Sequence, residues 1–199
     1  MKRLHLLSAI TVLSGALLPA MGVAHAQRAA GSYAQTTIFA ALENGGVYRS
    51  SDGGDTWLAA DSGLPQTDAQ VTVLQAGGSN TIYAGTSGNG VYYSTDGGQR
   101  WQDDNGENSD LPIETVVGLA VDRRFGDTVF AAGQDGVVYS NFSGQSWSES
   151  RVGTTSNLSA ITDDPGDPTT LLVGTENDGI YLSTDYGADW QSTSGIPAN

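Results

Sequence analysis

The chain has 199 residues, no Cys, 27 Gly and a net charge of −14, from 22 acidic against eight basic residues. That acidic excess makes DNA, RNA or an anionic membrane surface a poor partner, since binding any of them needs a cationic patch. Both His, both Met and the single Lys precede residue 27, so the remainder carries six Arg, a charge of −16, and no imidazole, thiol or amine side chain. Ser-His-Asp triads, thiolate nucleophiles, Schiff bases and the usual zinc or copper ligand sets are therefore excluded there. Carboxylate, phenol, hydroxyl and guanidinium chemistry remains.

Residues 1–26 read as a targeting segment. Lys2 and Arg3 precede a mostly apolar run from Leu6 to Val23, and Ala24-His25-Ala26 is a small-x-small cleavage site, so cleavage is expected before Gln27. This implies an exported protein, periplasmic or extracellular. No later stretch is long and apolar enough to span a bilayer. With no Cys, an exported fold must draw its stability from packing. Gln27 to Thr36 is a polar lead-in.

From Thr37 onward one pattern recurs, in repeats bounded at 27–61, 62–107, 108–151 and 152–199. Each holds a strand of the Thr37-Ile38-Phe39-Ala40-Ala41 type, found again from Thr81, Thr128 and Thr170. A second strand of the Gly46-Val47-Tyr48 type follows, then a Gly-rich turn, then a Trp that opens a returning strand. Trp57, Trp101, Trp147 and Trp190 lie 44, 46 and 43 residues apart, a period that marks a solenoid, propeller or array. Repeats two to four carry one more strand in front, at Val71–Gln75, Val116–Val121 and Leu158–Ile161; the first repeat offers no convincing equivalent. Four short strands per repeat without helical periodicity predict an all-β fold, a β-propeller of four-stranded antiparallel blades, about four in number. An all-β solenoid is the competitor, disfavoured because solenoid coils are usually shorter. A missing first strand leaves an open blade edge and predicts self-association through it.

The turn between the third and fourth strands resembles the Asp-box, or bacterial neuraminidase repeat, Ser-x-Asp-x-Gly-x-Thr-Trp. Ser50, Asp52, Gly54 and Trp57 match it with Thr56. Ser94, Asp96, Gly98 and Trp101 follow with Arg100 in place of Thr. The third copy is read as Ser140, Gly144 and Trp147 with Phe142 in place of Asp, and the fourth as Ser183, Asp185, Gly187 and Trp190. Asp in such a turn accepts backbone N–H bonds, Gly supplies positive φ, and the Trp packs below. The resemblance implies a structural role for these residues and four equivalent packed tryptophans.

Sialidases, xyloglucanases, sortilin-type receptors and photosystem II assembly factors share this hairpin. The sialidases' Arg-Ile-Pro motif does not occur here. Similarity to xyloglucanases, whose first blade carries Thr-Asp-x-Gly-Gly, implies Glu43 as a candidate catalytic acid, with Glu176 at the equivalent place in repeat four. Loop 103–110 offers calcium-type oxygens at Asp103, Asn105, Glu107 and Asp110 without EF-hand spacing, and no other cofactor is expected. All four Trp are committed to the repeat, which leaves few aromatics for a sugar-stacking platform. The expected function is that of a non-catalytic module binding a protein or polysaccharide. The alternative is a glycoside hydrolase with paired carboxylates.

Overall fold

The computed structural model describes residues 6–13, 36–42, 46–65, 70–78, 80–106, 111–113, 115–122, 124, 128–142 and 146–194. They form sixteen strands in four antiparallel sheets of four, with no helix among them. Blade 1 holds β1 (Leu6–Leu13), β2 (Thr36–Leu42), β3 (Gly46–Ser50) and β4 (Leu58–Ala59). Blade 2 holds β5 (Gln70–Ala76), β6 (Ile82–Ser87), β7 (Val91–Ser94) and β8 (Gln102–Asp103). Blade 3 holds β9 (Val116–Asp122), β10 (Thr128–Gly133), β11 (Val137–Phe142) and β12 (Trp147–Arg151). Blade 4 holds β13 (Leu158–Asp164), β14 (Asp167–Thr175), β15 (Ile180–Ser183) and β16 (Gln191–Ser192). We call the strands of each blade A to D in that order. The strand-A elements β1, β5, β9 and β13 pack one on the next in sequence, so the blades stand side by side in an arc. This is the β-propeller architecture expected from the repeat.

The first strand of blade 1 differs from expectation. Leu6–Leu13 runs antiparallel to β2, from Leu6 opposite Leu42 to Leu13 opposite Thr36, with a bulge between Leu6 and Ser8. It fills the strand-A place for which the sequence after residue 36 supplies no candidate, and it comes from the apolar run of the expected targeting segment. An apolar run bounded by polar residues is compatible with either fate, so periodicity does not separate them.

Alternation within strands B and C aims successive side chains at opposite neighbours, and the core therefore divides into three inter-blade layers. Phe39, Ala41 and Val47 of blade 1 meet Ile82, Ala84 and Trp101 of blade 2. Tyr83 and Val91 meet Val129, Tyr139 and Trp147. Phe130, Ala132 and Val138 meet Leu158, Leu171 and Val173, with Tyr181 and Trp190 at the margin.

Each turn is organised by its Ser and Asp. Ser50 Oγ donates to Asp52 Oδ1 (2.8 Å) and accepts from Gly54 N (2.8 Å), while Asp52 accepts from Thr56 N (2.9 Å) and Thr56 Oγ1 (2.5 Å). Ser94 and Asp96 repeat this, with the amides of Gln99 and Arg100 both donating to Asp96 at 2.9 Å. Ser183, Asp185 and Gly187 repeat it again, with Asp189 N donating at 3.0 Å. The position of Thr56 thus needs only a backbone amide, which is why Arg100 and Asp189 are tolerated there.

The third copy is in a different register. Phe130 pairs with Ser140 and Val129 with Asn141, whereas Ile38 and Ile82 pair with Ser50 and Ser94. Asn141, not Ser140, therefore holds the buried hydroxyl's place: it is 1% exposed, as Ser50 is, while Ser140 is half-buried. The turn is one residue shorter than the others, and Gly144 lies outside the described residues.

The four tryptophans are not equivalent. Trp101 and Trp147 are buried and Trp190 is half-buried, but Trp57 is 40% exposed. Each of the first three sends its indole N–H to the preceding blade: Trp101 to Ala60 O (2.7 Å), Trp147 to Asp104 O (2.6 Å) and Trp190 to Ser150 Oγ (3.0 Å). Trp57 meets no preceding blade among the described residues and donates to its own turn at Gly54 O (3.0 Å).

Candidate functional site

The turns joining strands B and C share one end of the arc. There, in blade 2, a cavity of about 410 Å³ is lined by Gly88, Asn89, Gly90, Tyr92, Asp103, Asn105, Leu111, Pro112 and Ile113. The β6–β7 turn, the end of β8 and the link to blade 3 line it, and the link supplies the apolar residues Leu111, Pro112 and Ile113. Its shape depends on Asn105. That side chain accepts from Val91 N (2.8 Å) and donates to Asn89 O (3.0 Å), while Asn105 O accepts from Leu111 N (3.1 Å). Gly90 sits at φ +68°, and a Cβ there would lie 2.1 Å from Asn105 Oδ1, so only glycine admits the pin.

Asp103 stands beside Tyr92 on one face of the sheet, because the two are paired in the β7–β8 ladder. Burial and then the Asp103 charge push the Tyr92 phenol up, so it stays a neutral hydroxyl donor. Asp103 Oδ1 accepts from Asn105 N (2.7 Å). The cavity thus offers a phenol, a carboxylate, turn carbonyls and an apolar wall.

Beneath it, Asp104 turns inward between blades 2 and 3. Burial, then the neighbouring Asp103 charge, pushes its carboxyl up to about 7. The Asn141 amide donates to it, with Nδ2 3.5 Å from Asp104 Oδ1, and Asn141 Oδ1 is buried without a hydrogen-bond partner among the described residues. A second polar group crosses blades 3 and 4. Buried Asp122 accepts from Arg124 N (3.0 Å), Arg124 Nε (3.2 Å) and the Tyr186 hydroxyl (3.2 Å). Burial pushes this carboxyl up, but those donors outweigh burial and hold it below the usual carboxylate range. Tyr186 itself stacks on Phe130 with ring centroids 6.5 Å apart.

Glu176 lies on the same end of the arc, in the B–C turn of blade 4. Its carboxylate accepts from Asn157 Nδ2 (3.1 Å), and its amide donates to Asn157 O (3.0 Å), which ties the turn to the link entering its own blade. Glu43, in the corresponding turn of blade 1, lies outside the described residues, as do Glu107 and Asp110. Of the four calcium-type oxygens, Asn105 is therefore spent on the turn and Asp103 belongs to the cavity. Among the described residues no group of three acidic residues is placed to hold a metal, and no helix is long and apolar enough to cross a membrane. Sequence reasoning missed Tyr92, Asp104, Asn141 and the Asp122–Arg124–Tyr186 group. Only the one-residue contraction at Asn141 had left a trace, as an imperfect third copy.

The sequence profile of the DUF6242 beta propeller domain matches residues 24–198. No curated protein sequence matches the chain at a significant level. Among solved structures, it is similar to an ancestral GH74 enzyme (TM-score 0.64, 23% identity, covering 81% of this chain and 23% of that one). It is also similar to the GH74 xyloglucanase from Xanthomonas campestris (TM-score 0.63, 18% identity, 78% and 28%). A third is YCF48 bound to D1 peptide (TM-score 0.55, 19% identity, 78% and 50%). The chain spans about a quarter of the GH74 enzymes and half of the YCF48 chain.

Proposed function

The chain belongs to the DUF6242 beta propeller domain family, and we propose that it is an exported, non-catalytic module that binds an extended partner across its B–C turn face. The observation that carries this reading is the cavity of blade 2, where a neutral phenol, a carboxylate and the Leu111–Ile113 wall converge on one opening. Such a surface suits a chain with alternating polar and apolar groups. The charge of −14 favours a protein segment bearing Lys or Arg over any anionic polymer. The YCF48 likeness, a similar fold with a peptide bound, supports a peptide; a polysaccharide is the other member of the class.

The hydrolase reading draws on the GH74 likeness and on Glu43 and Glu176. It requires two carboxyl groups across a cleft, about 5–5.5 Å or 6.5–9.5 Å apart. The described partner of the Glu176 carboxylate is an amide. Export rests on residues 1–26; cleavage before Gln27 would remove β1 and open the edge of β2. N-terminal sequencing of protein recovered outside the cytoplasm tests this, and a mature chain beginning at Met1 would refute it.

Titration calorimetry with basic and neutral peptides and with xyloglucan oligosaccharides tests the binding reading. Tyr92→Ala and Asp103→Asn should each weaken the best ligand by about tenfold with unchanged folding. Binding indifferent to both variants, or sugar release abolished by Glu43→Gln, overturns it.

A further inference from the structure

Every junction between blades is made from the same two halves. One half is the strand-B residue that faces the next blade, Phe39, Tyr83 and Phe130 in blades 1 to 3, each at most 7% exposed. The other half is the turn and indole of that next blade. Gly98 shows how closely they fit, since a Cβ on it would lie 2.5 Å from Phe39 Cε1. The indole N–H then lands three residues beyond the preceding blade's own tryptophan, on Ala60, Asp104 and Ser150 in turn.

Two halves are left over. Leu172 is the fourth member of the strand-B series and is 36% exposed; Trp57 is the first indole and is 40% exposed. They are two of the three large apolar side chains exposed among the described residues. The third, Leu58, pairs with Arg49, which reaches towards blade 2, and so lies on the other face of its blade. Around Trp57, Ile38 is half-buried although its counterparts Ile82, Val129 and Leu171 are at most 2% exposed; around Leu172, Ile180 and Leu182 are half-buried. Thr193 stands three residues beyond Trp190, the place where an incoming indole docks in every internal junction. Blades 1 and 4 do not pack on each other as consecutive blades do.

We propose that a second copy of this chain completes these halves head to tail: the Trp57 face of one copy seats on the Leu172–Thr193 face of another. The Trp57 indole N–H then exchanges Gly54 O for an acceptor on Thr193, and Leu172 takes the place of Phe39 beneath the turn of blade 1. The surface required is the one that already packs three times within the chain. Because the two patches differ, the contact is heterologous, and it either closes a ring, of which two arcs are the smallest, or continues as a filament.

Light scattering with chromatography on the full chain, across a range of concentrations, tests the proposal. The mass should rise to at least twice that of the monomer as concentration increases. Trp57→Arg and Leu172→Arg, both at exposed positions, should each be monomeric at the concentration where the wild type associates, with unchanged circular dichroism. Mixed, they should form a one-to-one dimer, because the intact head of the Leu172→Arg chain meets the intact tail of the Trp57→Arg chain. A wild-type monomer throughout, association that survives Leu172→Arg, or a mixture that stays monomeric each overturns it. Residual association common to all variants would mark a contact elsewhere on the chain, and equally overturns it.

Discussion

Asp104 gives the sharpest test of how this fold balances polarity against packing. Its carboxyl is raised from 3.8 to about 7, with burial between blades 2 and 3 the larger cause and the Asp103 charge the second. A carboxyl whose folded pKa is raised binds its proton more tightly in the folded state, so stability is highest below about pH 4 as far as this group is concerned. It falls as the pH climbs towards 7 and levels off above. Roughly three pH units at ~1.4 kcal/mol each cap the loss at about 4 kcal/mol, and solvent reaching the partly open side reduces it to about 1–3 kcal/mol. Among the described residues the other carboxyls with displaced values, Asp52, Asp96, Asp122, Asp167 and Asp185, are all lowered and stay ionised above pH 5. The window from pH 5 to pH 8 therefore isolates Asp104. Urea unfolding followed by tryptophan fluorescence should show a midpoint falling by about 0.3–1 M over that window, which holds about two-thirds of the full loss, taking a slope near 2 kcal/mol/M. Asp104→Asn keeps the shape, removes the charge and can donate to the unpartnered Asn141 Oδ1. It should exceed the wild type slightly at pH 5, by about 1–3 kcal/mol at pH 8, and abolish the pH dependence. Asp103→Asn should lessen the slope without abolishing it. A wild-type midpoint that is flat or rises between pH 5 and 8, or an Asp104→Asn variant less stable at pH 8, would refute the reasoning.

Replacing Trp101 with Ala should cost about 3–5 kcal/mol in the same unfolding assay, whereas Trp57→Ala in monomeric protein should cost under about 1 kcal/mol, because the side chain is already partly in water. Gly98→Ala combines a positive φ of +78° with a Cβ 2.5 Å from Phe39, so it should destabilise by about 2 kcal/mol or more and open the junction of blades 1 and 2. Asp52 is held down to about 2, first by the Thr56 hydroxyl, then by its amide and by Ser50, so the turn's contribution persists above pH 3.8 and disappears as the pH falls through about 2. Thr56→Val should remove part of that acid sensitivity, read as a smaller loss of the unfolding midpoint between pH 4 and pH 2.

Much of the architecture was legible from residues alone, and for a local reason. A strand, its turn and the returning Trp are specified within a dozen consecutive residues, so the Ser50–Asp52–Thr56 bonds depend on nothing beyond that segment. Repetition then fixes the blade, since four such units can bury their apolar alternation only against one another. What lay beyond the sequence depends on neighbours. The match of Asn141 rather than Ser140 to the buried hydroxyl follows from the ladder with β10, where Ala132 pairs with Val138. A one-residue shift exchanges the faces of a strand without changing its composition. The unequal tryptophans are a property of the arc: similar turns give a buried Trp101 and an exposed Trp57 because, among the described residues, only Trp101 has a blade in front of it. The cavity draws on the β6–β7 turn, β8 and the link to blade 3, pieces spread between Gly88 and Ile113 that Asn105 pins together. In the sequence that residue reads only as an oxygen-bearing side chain in an acidic loop. Local chemistry determined the hairpins, while burial, register and the company of other blades decided which side chains were left to meet a partner.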